Sequence, residues 1–134
     1  VFAESLQARG EILGYSNLEQ MTQFFPSFFK NHTREKLKRG IKTRYLSPNT
    51  ISGIDIIRPF LPQEYDRNLF EILLVNKDQF FFENEMLIFN DSVGIVSLNE
   101  NELLALIVES PTFSRTMKAV FDLAWLGATS FVAQ

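Results

Sequence analysis

The chain has no cysteine. That absence excludes disulfides, thiolate nucleophiles and zinc–thiolate sites, and it leaves no support for a secreted disulfide scaffold. Histidine occurs once, at position 32, so one copy of the chain cannot build a multi-histidine metal site. No apolar run approaches the roughly 18 residues of a membrane-spanning helix. The opening VFAESLQARGE has no basic stretch followed by an apolar one, so no signal peptide is visible and a cytoplasmic location is expected. The chain begins at Val1 without Met, inside a helical pattern, which suggests a piece of a longer protein. Internal repeats and low-complexity stretches are absent.

The 134 residues fit one domain, and a hydrophobic content of 46% excludes wholesale disorder. Fourteen Phe residues predict an aromatic-rich core. The net charge of −3 is unevenly placed: Lys30, Arg34, Lys36, Lys38, Arg39, Lys42 and Arg44 face only Glu35 across residues 30–44. Lys30, Arg34 and Lys38 follow i,i+4 spacing, so this cluster reads as a solvated helix face ending at a dipole-favoured C-terminus. An anionic ligand or direct contact with DNA is the less favoured reading of it.

Residues 69–108 organise the chain. LFEILLVN, QFFFE, EMLIF, VGIVSL and LLALIVE are short apolar runs broken by Asn/Asp/Ser-rich pieces, a pattern of strands rather than helices. Three short strands joined by polar turns predict an antiparallel meander. VGIVSL and LLALIVE are almost continuously apolar, as strands covered on both faces are. Phe80, Phe81 and Phe82 on one strand would leave a Phe exposed at an edge, suggesting a dimer contact. Upstream, residues 1–9 form a candidate helix and 11–15 a strand. Ser16-Asn17-Leu18-Glu19 has capping-box spacing before a helix over 17–38, broken at Phe25-Pro26, and 41–46 alternates as a half-buried strand. Helix, strand, helix, strand predicts a right-handed crossover with the two strands parallel. SPNTISG reads as a loop and IDIIRPFL as a short strand. Ser110-Pro111 starts a last helix, with Phe113, Met117, Val120, Phe121 and Ala124 on one face and Gly127 closing it.

Three stretches together carry a resemblance: GEILGYSN…FFPSFFKNHTREKLKRGIKTRYL, EMLIFNDSVGIVSL and LLALIVESPTFSRTMKAVFDLAWLGA. In this order they resemble the C-terminal effector domain of TrmB-type transcriptional regulators. That resemblance implies an α/β fold, a half-unit of the phospholipase D-like fold, with a mixed sheet and antiparallel meander covered by helices. It also implies a preceding winged helix-turn-helix, which is not visible in this chain, as the only route to DNA.

The phospholipase D signature needs His-x-Lys, four residues and Asp, then Ser and Asn. Aligning Asp91 with the Asp puts Asn84 at the His position and Met86 at the Lys position. An amide is no nucleophile at phosphorus and a thioether carries no charge. Ser97 and Asn99 resemble the trailing pair. The resemblance therefore implies a non-catalytic, ligand-sensing or dimerising regulatory domain. Its candidate ligand site holds Asn84, Met86, Asp91, Ser97 and Asn99, with Lys38 and Arg39 as anion anchors. A homodimer is expected, along with a sugar or anion as effector, and no cofactor, metal or membrane. The alternative is a phosphodiesterase or nuclease that uses His32 across a dimer. Glu83 and Glu85 are close in sequence, but an acid–base pair needs a cleft and perturbed pKa values, and the sequence shows neither.

Overall fold

The computed structural model describes residues 2–49, 53–97, 99, 101–102 and 104–129. Helix α1 (Phe2–Ser5), strand β1 (Ile12–Tyr15), helices α2 (Leu18–Phe24) and α3 (Pro26–Lys38) and strand β2 (Thr43–Asn49) come first. A 3-10 helix, Gly53–Phe60, and a 3-10 turn, Arg67–Leu69, lead into β3 (Phe70–Asn76). Then come β4 (Asn84–Phe89), β5 (Ser92–Ser97), β6 (Ala105–Glu109) and α4 (Pro111–Thr129). The strands form one mixed sheet in the order β3-β2-β1-β4-β5-β6. As the helix–strand alternation predicts, β1 and β2 are parallel, and β3 joins β2 in the same sense. The predicted meander is β4, β5 and β6, antiparallel throughout and joined to β1 through β4.

Strand alternation sends side chains to two cores. Ile12, Tyr45, Phe70, Leu87 and Phe89 meet Leu18, Met21, Phe29 and Ile57 on the face covered by α2, α3 and the 3-10 helix. Leu13, Leu46, Ile88 and Val93 meet Phe121 and Ala128 of α4 on the other. Arg44 holds α4 in place. Its guanidinium donates to both carboxylate oxygens of Glu11 (3.0 and 2.9 Å) and to Asp122 (2.9 Å), and it lies over the rings of Phe121 and Trp125.

The helix breaks follow their local chemistry. Pro26 opens α3 as its first residue, and Gly40 leaves it at φ +70°, a left-handed conformation that costs glycine little. Ser110 caps α4 by accepting from the Phe113 amide, with Pro111 as first helical residue. The β4–β5 turn is Asn90-Asp91, with Asn90 at φ 51°, a region Asn tolerates.

Several expectations are corrected. The cap of α2 is Asn17, which accepts from the Gln20 amide, whereas Ser16 turns inward. The first helix ends at Ser5, and α4 runs through Gly127 to Thr129, because nothing at Gly127 requires a left-handed residue. Phe113 and Val120 are exposed; the buried face of α4 is Met117, Phe121, Ala124, Trp125 and Ala128. IDIIRPFL is 3-10 helix rather than strand. Ser47, Pro48 and Asn49 belong to β2, not to a loop. Strand β1 ends opposite Leu46, so beyond it β2 pairs with β3 alone and tolerates Pro48. Thr50, Ile51 and Ser52 of the expected loop lie outside the described residues, as does Leu103 of the last apolar run. QFFFE is not a strand: the 77–83 loop carries the chain across the sheet from edge strand β3 to β4. Finally, β6 is an exposed edge, so its continuous apolarity does not mark burial.

Candidate functional site

The parallel strands β1, β2 and β3 end on one side of the molecule, and there, on the α4 face, lies a cavity of about 420 Å³. Ligands of open α/β sheets collect outside the carboxyl ends of their strands. Here Tyr15, Leu46 and Val75 form the floor, Phe80, Phe81 and Phe82 one wall, and Ala124, Gly127 and Ala128 of α4 the other. Asn76 and the Tyr15 hydroxyl are the polar side-chain groups of this lining. The small residues of α4 leave the space, and the triple-Phe loop roofs it. The loop is tied down where Asn17 Nδ2 donates to the Phe82 carbonyl at 3.3 Å.

Tyr15 divides this cavity from a second, of about 320 Å³, lined by Asn84, Met86, Ile95 and Met117. Its ring packs edge-on against Phe82 and Phe121, with centroids 5.8 and 5.3 Å away. Burial raises the Tyr15 pKa, so its phenol stays protonated and able to donate. Both cavities fall in or near the size range of small-molecule pockets.

The predicted site residues divide into two groups. Asn84 and Met86 line the second cavity; Ser97 pairs with Asn84 across β4–β5, and Ser97 Oγ accepts from the Asn99 amide at 3.2 Å. These four lie together. Asp91 does not: it sits in the turn at the far end of the hairpin, where its carbonyl accepts from the Ser110 amide. Lys38 and Arg39 end α3 on the opposite face of the sheet, and Arg39 is bonded to Glu35 and the Leu6 carbonyl. The signature spacing fails because the two ends of one hairpin cannot meet.

His32 is buried between α1 and α3. Its Nε2 lies 3.0 Å from the Phe2 carbonyl and from Ser5 Oγ, and its ring stacks on Phe28. A carbonyl only accepts, so Nε2 carries the hydrogen. Burial, reinforced by nearby Lys36, lowers the His32 pKa to about 4. Asp91 is not among the groups packed against it.

The basic cluster also conceals a buried network that the sequence reading missed. Lys36 is 1% exposed, Glu85 2% and Tyr45 4%. Lys36 Nζ donates to the Tyr45 hydroxyl at 2.9 Å and lies 4.8 Å from the centre of its ring. Glu85 Oε1 accepts from Ser16 Oγ at 2.9 Å and from the Asn17 amide at 3.1 Å. Burial brings Lys36 down to about 7 and lifts Glu85 to about 7, each opposed by the other's charge. Burial also raises the Tyr45 phenol. These groups face the α2–α3 core, on the opposite side of the sheet from both cavities.

Among the described residues no cluster of His, Asp and Glu is placed to hold a metal ion, and no helix is long and apolar enough to cross a membrane. The chain matches no family model, no curated protein and no solved structure.

Proposed function

We propose that this chain is a regulatory binding module that takes a small apolar molecule in the cavity beneath Phe80, Phe81 and Phe82. The observation that carries this reading is the lining: about 420 Å³ walled by aromatic and aliphatic groups at the ends of three parallel strands, with Asn76 and Tyr15 to orient a ligand. Among the described residues no charged side chain lines it, which favours an uncharged apolar ligand over the sugar or anion that the resemblance implies.

The resemblance to TrmB-type effector domains supplies the setting: a cytoplasmic transcriptional regulator in which the module biases a winged helix. A ligand gripped between the loop and the last turns of α4 would favour the arrangement in which both close on it. It would shift the regulator by its differential affinity for that state.

The test uses Gly127. A β-carbon there meets nothing within 4 Å and the residue lines the cavity, so Gly127→Phe adds a ring at the cavity wall. The neutral fluorophore N-phenyl-1-naphthylamine is expected to bind the native chain and raise its Tm, and Gly127→Phe to weaken binding at least tenfold. Equal binding by both proteins, or none by the native chain, overturns the reading.

A further inference from the structure

We infer that the free edge of β6 is the seat of a second copy of this chain, paired antiparallel about Ile107. The inference rests on the hydrogen-bond parity of the sheet and is independent of the cavity.

In an antiparallel pair, opposed residues alternate between those that exchange both backbone bonds and those that exchange none. Two bonds fix the phase here: the Ser97 amide donates to the Leu104 carbonyl at 2.8 Å, and the Ser110 amide to the Asp91 carbonyl at 2.9 Å. With Ile95 opposite Leu106 and Val93 opposite Val108, the backbone groups of Leu106 and Val108 turn toward β5. The N–H and C=O of Ala105, Ile107 and Glu109 therefore point away from the sheet, where β6 has no neighbouring strand among the described residues.

This edge has little of the usual protection, its one charge being Glu109 at the end of the strand. Exposed edges are blunted by charges, Pro or bulges. At the opposite edge, β3 is flanked by Arg58, Arg67 and the Lys42–Glu71 ion pair. Strand β6 reads ALIVE, without Lys, Arg or Pro, and its Leu106 and Ile107 are 46% and 37% exposed.

A second β6 matches these outward groups without opposing like charges. A two-fold axis through Ile107 makes all three outward residues face outward residues: Ile107 meets the partner's Ile107, and Ala105 meets the partner's Glu109. Each opposed pair then exchanges both bonds. On the α4 face Leu106 meets the partner's Val108, apolar against apolar. Glu109 falls opposite Ala105, so no like charges oppose each other. Axes through Leu106 or Val108 also oppose outward residues, but each engages only two pairs within β6 against the three about Ile107. The register about Ile107 thus uses every outward group of the strand in an isologous interface.

The absence of native cysteine makes the register directly testable. Opposed hydrogen-bonded residues have Cα atoms about 5.5 Å apart, within disulfide reach. Ile107→Cys is expected to give a covalent dimer on mild oxidation. Leu106→Cys faces its own counterpart only diagonally, at roughly 7–8 Å, and is expected to remain largely unlinked. In light scattering the native chain is expected to be a dimer, and Ile107→Lys to raise its dissociation constant at least tenfold with unchanged circular dichroism. Ile107→Pro should act likewise, because the amide it removes faces outward. A native chain that is monomeric across the dilution series overturns the inference, and so does preferential linking through Leu106→Cys. A monomer that instead binds an unrelated strand peptide at this edge overturns the choice of occupant.

Discussion

The ring of Tyr45 occupies the space that a β-carbon on Gly14 would fill. The two residues are register partners on β1 and β2, and a Cβ built on Gly14 would lie 2.5 Å from Tyr45 Cε1 and 3.1 Å from Leu87 Cδ2. A glycine inside a strand commonly marks such an approach. Here it lets the phenol lie flat over β1 and reach Lys36. Gly14→Ala must displace a ring packed edge-on against Phe70, and it is expected to lower stability by about 1–3 kcal/mol. Truncating the ring as well, in Gly14→Ala/Tyr45→Leu, is expected to cost less than the sum of the single changes in urea unfolding. Strict additivity would show that the two residues do not compete for space.

His32 gives a pH dependence of defined sign. Its folded pKa, about 4, lies below the ordinary 6.5. As pH falls through that window the unfolded chain takes up the proton first, so stability present above 6.5 is lost toward 4, by about 3 kcal/mol at most. Glu85 titrates over an overlapping range in the opposite sense, so the wild-type curve alone does not isolate His32. His32→Gln keeps a donor for the Phe2 carbonyl but cannot charge. Its stability relative to wild type is expected to improve steadily between pH 7 and 4.5, measured as urea midpoints. Parallel curves would mean that His32 already titrates normally.

Local pattern made much of the fold legible: the break at Pro26, the parallel β1 and β2, the meander and the Pro111 start each rest on a few adjacent residues. What escaped depends on distant partners. Three consecutive Phe look like a strand until the chain must cross from β3 to β4. An apolar run such as ALIVE looks buried until the sheet ends beside it. The network had a signal that the charge obscured. Phe29, His32, Thr33 and Lys36 fall at i, i+3, i+4 and i+7, and all four are buried, so periodicity alone places Lys36 on the inner face of α3. Glu85 likewise alternates with Leu87 and Phe89 toward the same core. The candidate cavity had no such signal, because it consists of space left by small residues and a loop.

Lys36 and Glu85 supply the remaining prediction. With a folded pKa of about 7 against an ordinary 10.5, Lys36 leaves the unfolded chain holding the extra proton between those values, so its contribution to stability improves as pH rises from 7. Glu85 is raised to about 7 from 4.5, so its contribution is full below 4.5 and is lost as pH rises to 7. Near pH 7 both groups are partly ionised, and each charge offsets the burial of the other. Lys36→Met removes the opposite charge from the Glu85 carboxylate and is expected to destabilise by about 1–3 kcal/mol at pH 7. Adding Glu85→Gln, whose amide oxygen keeps the bonds from Ser16 and Asn17, is expected to recover much of that loss. The coupling in the double-mutant cycle should exceed about 1 kcal/mol at pH 7 and shrink both at pH 5, where Glu85 is protonated, and at pH 9, where Lys36 is neutral. A coupling that is absent at pH 7, or equal at the three pH values, would mean that the two charges do not support each other.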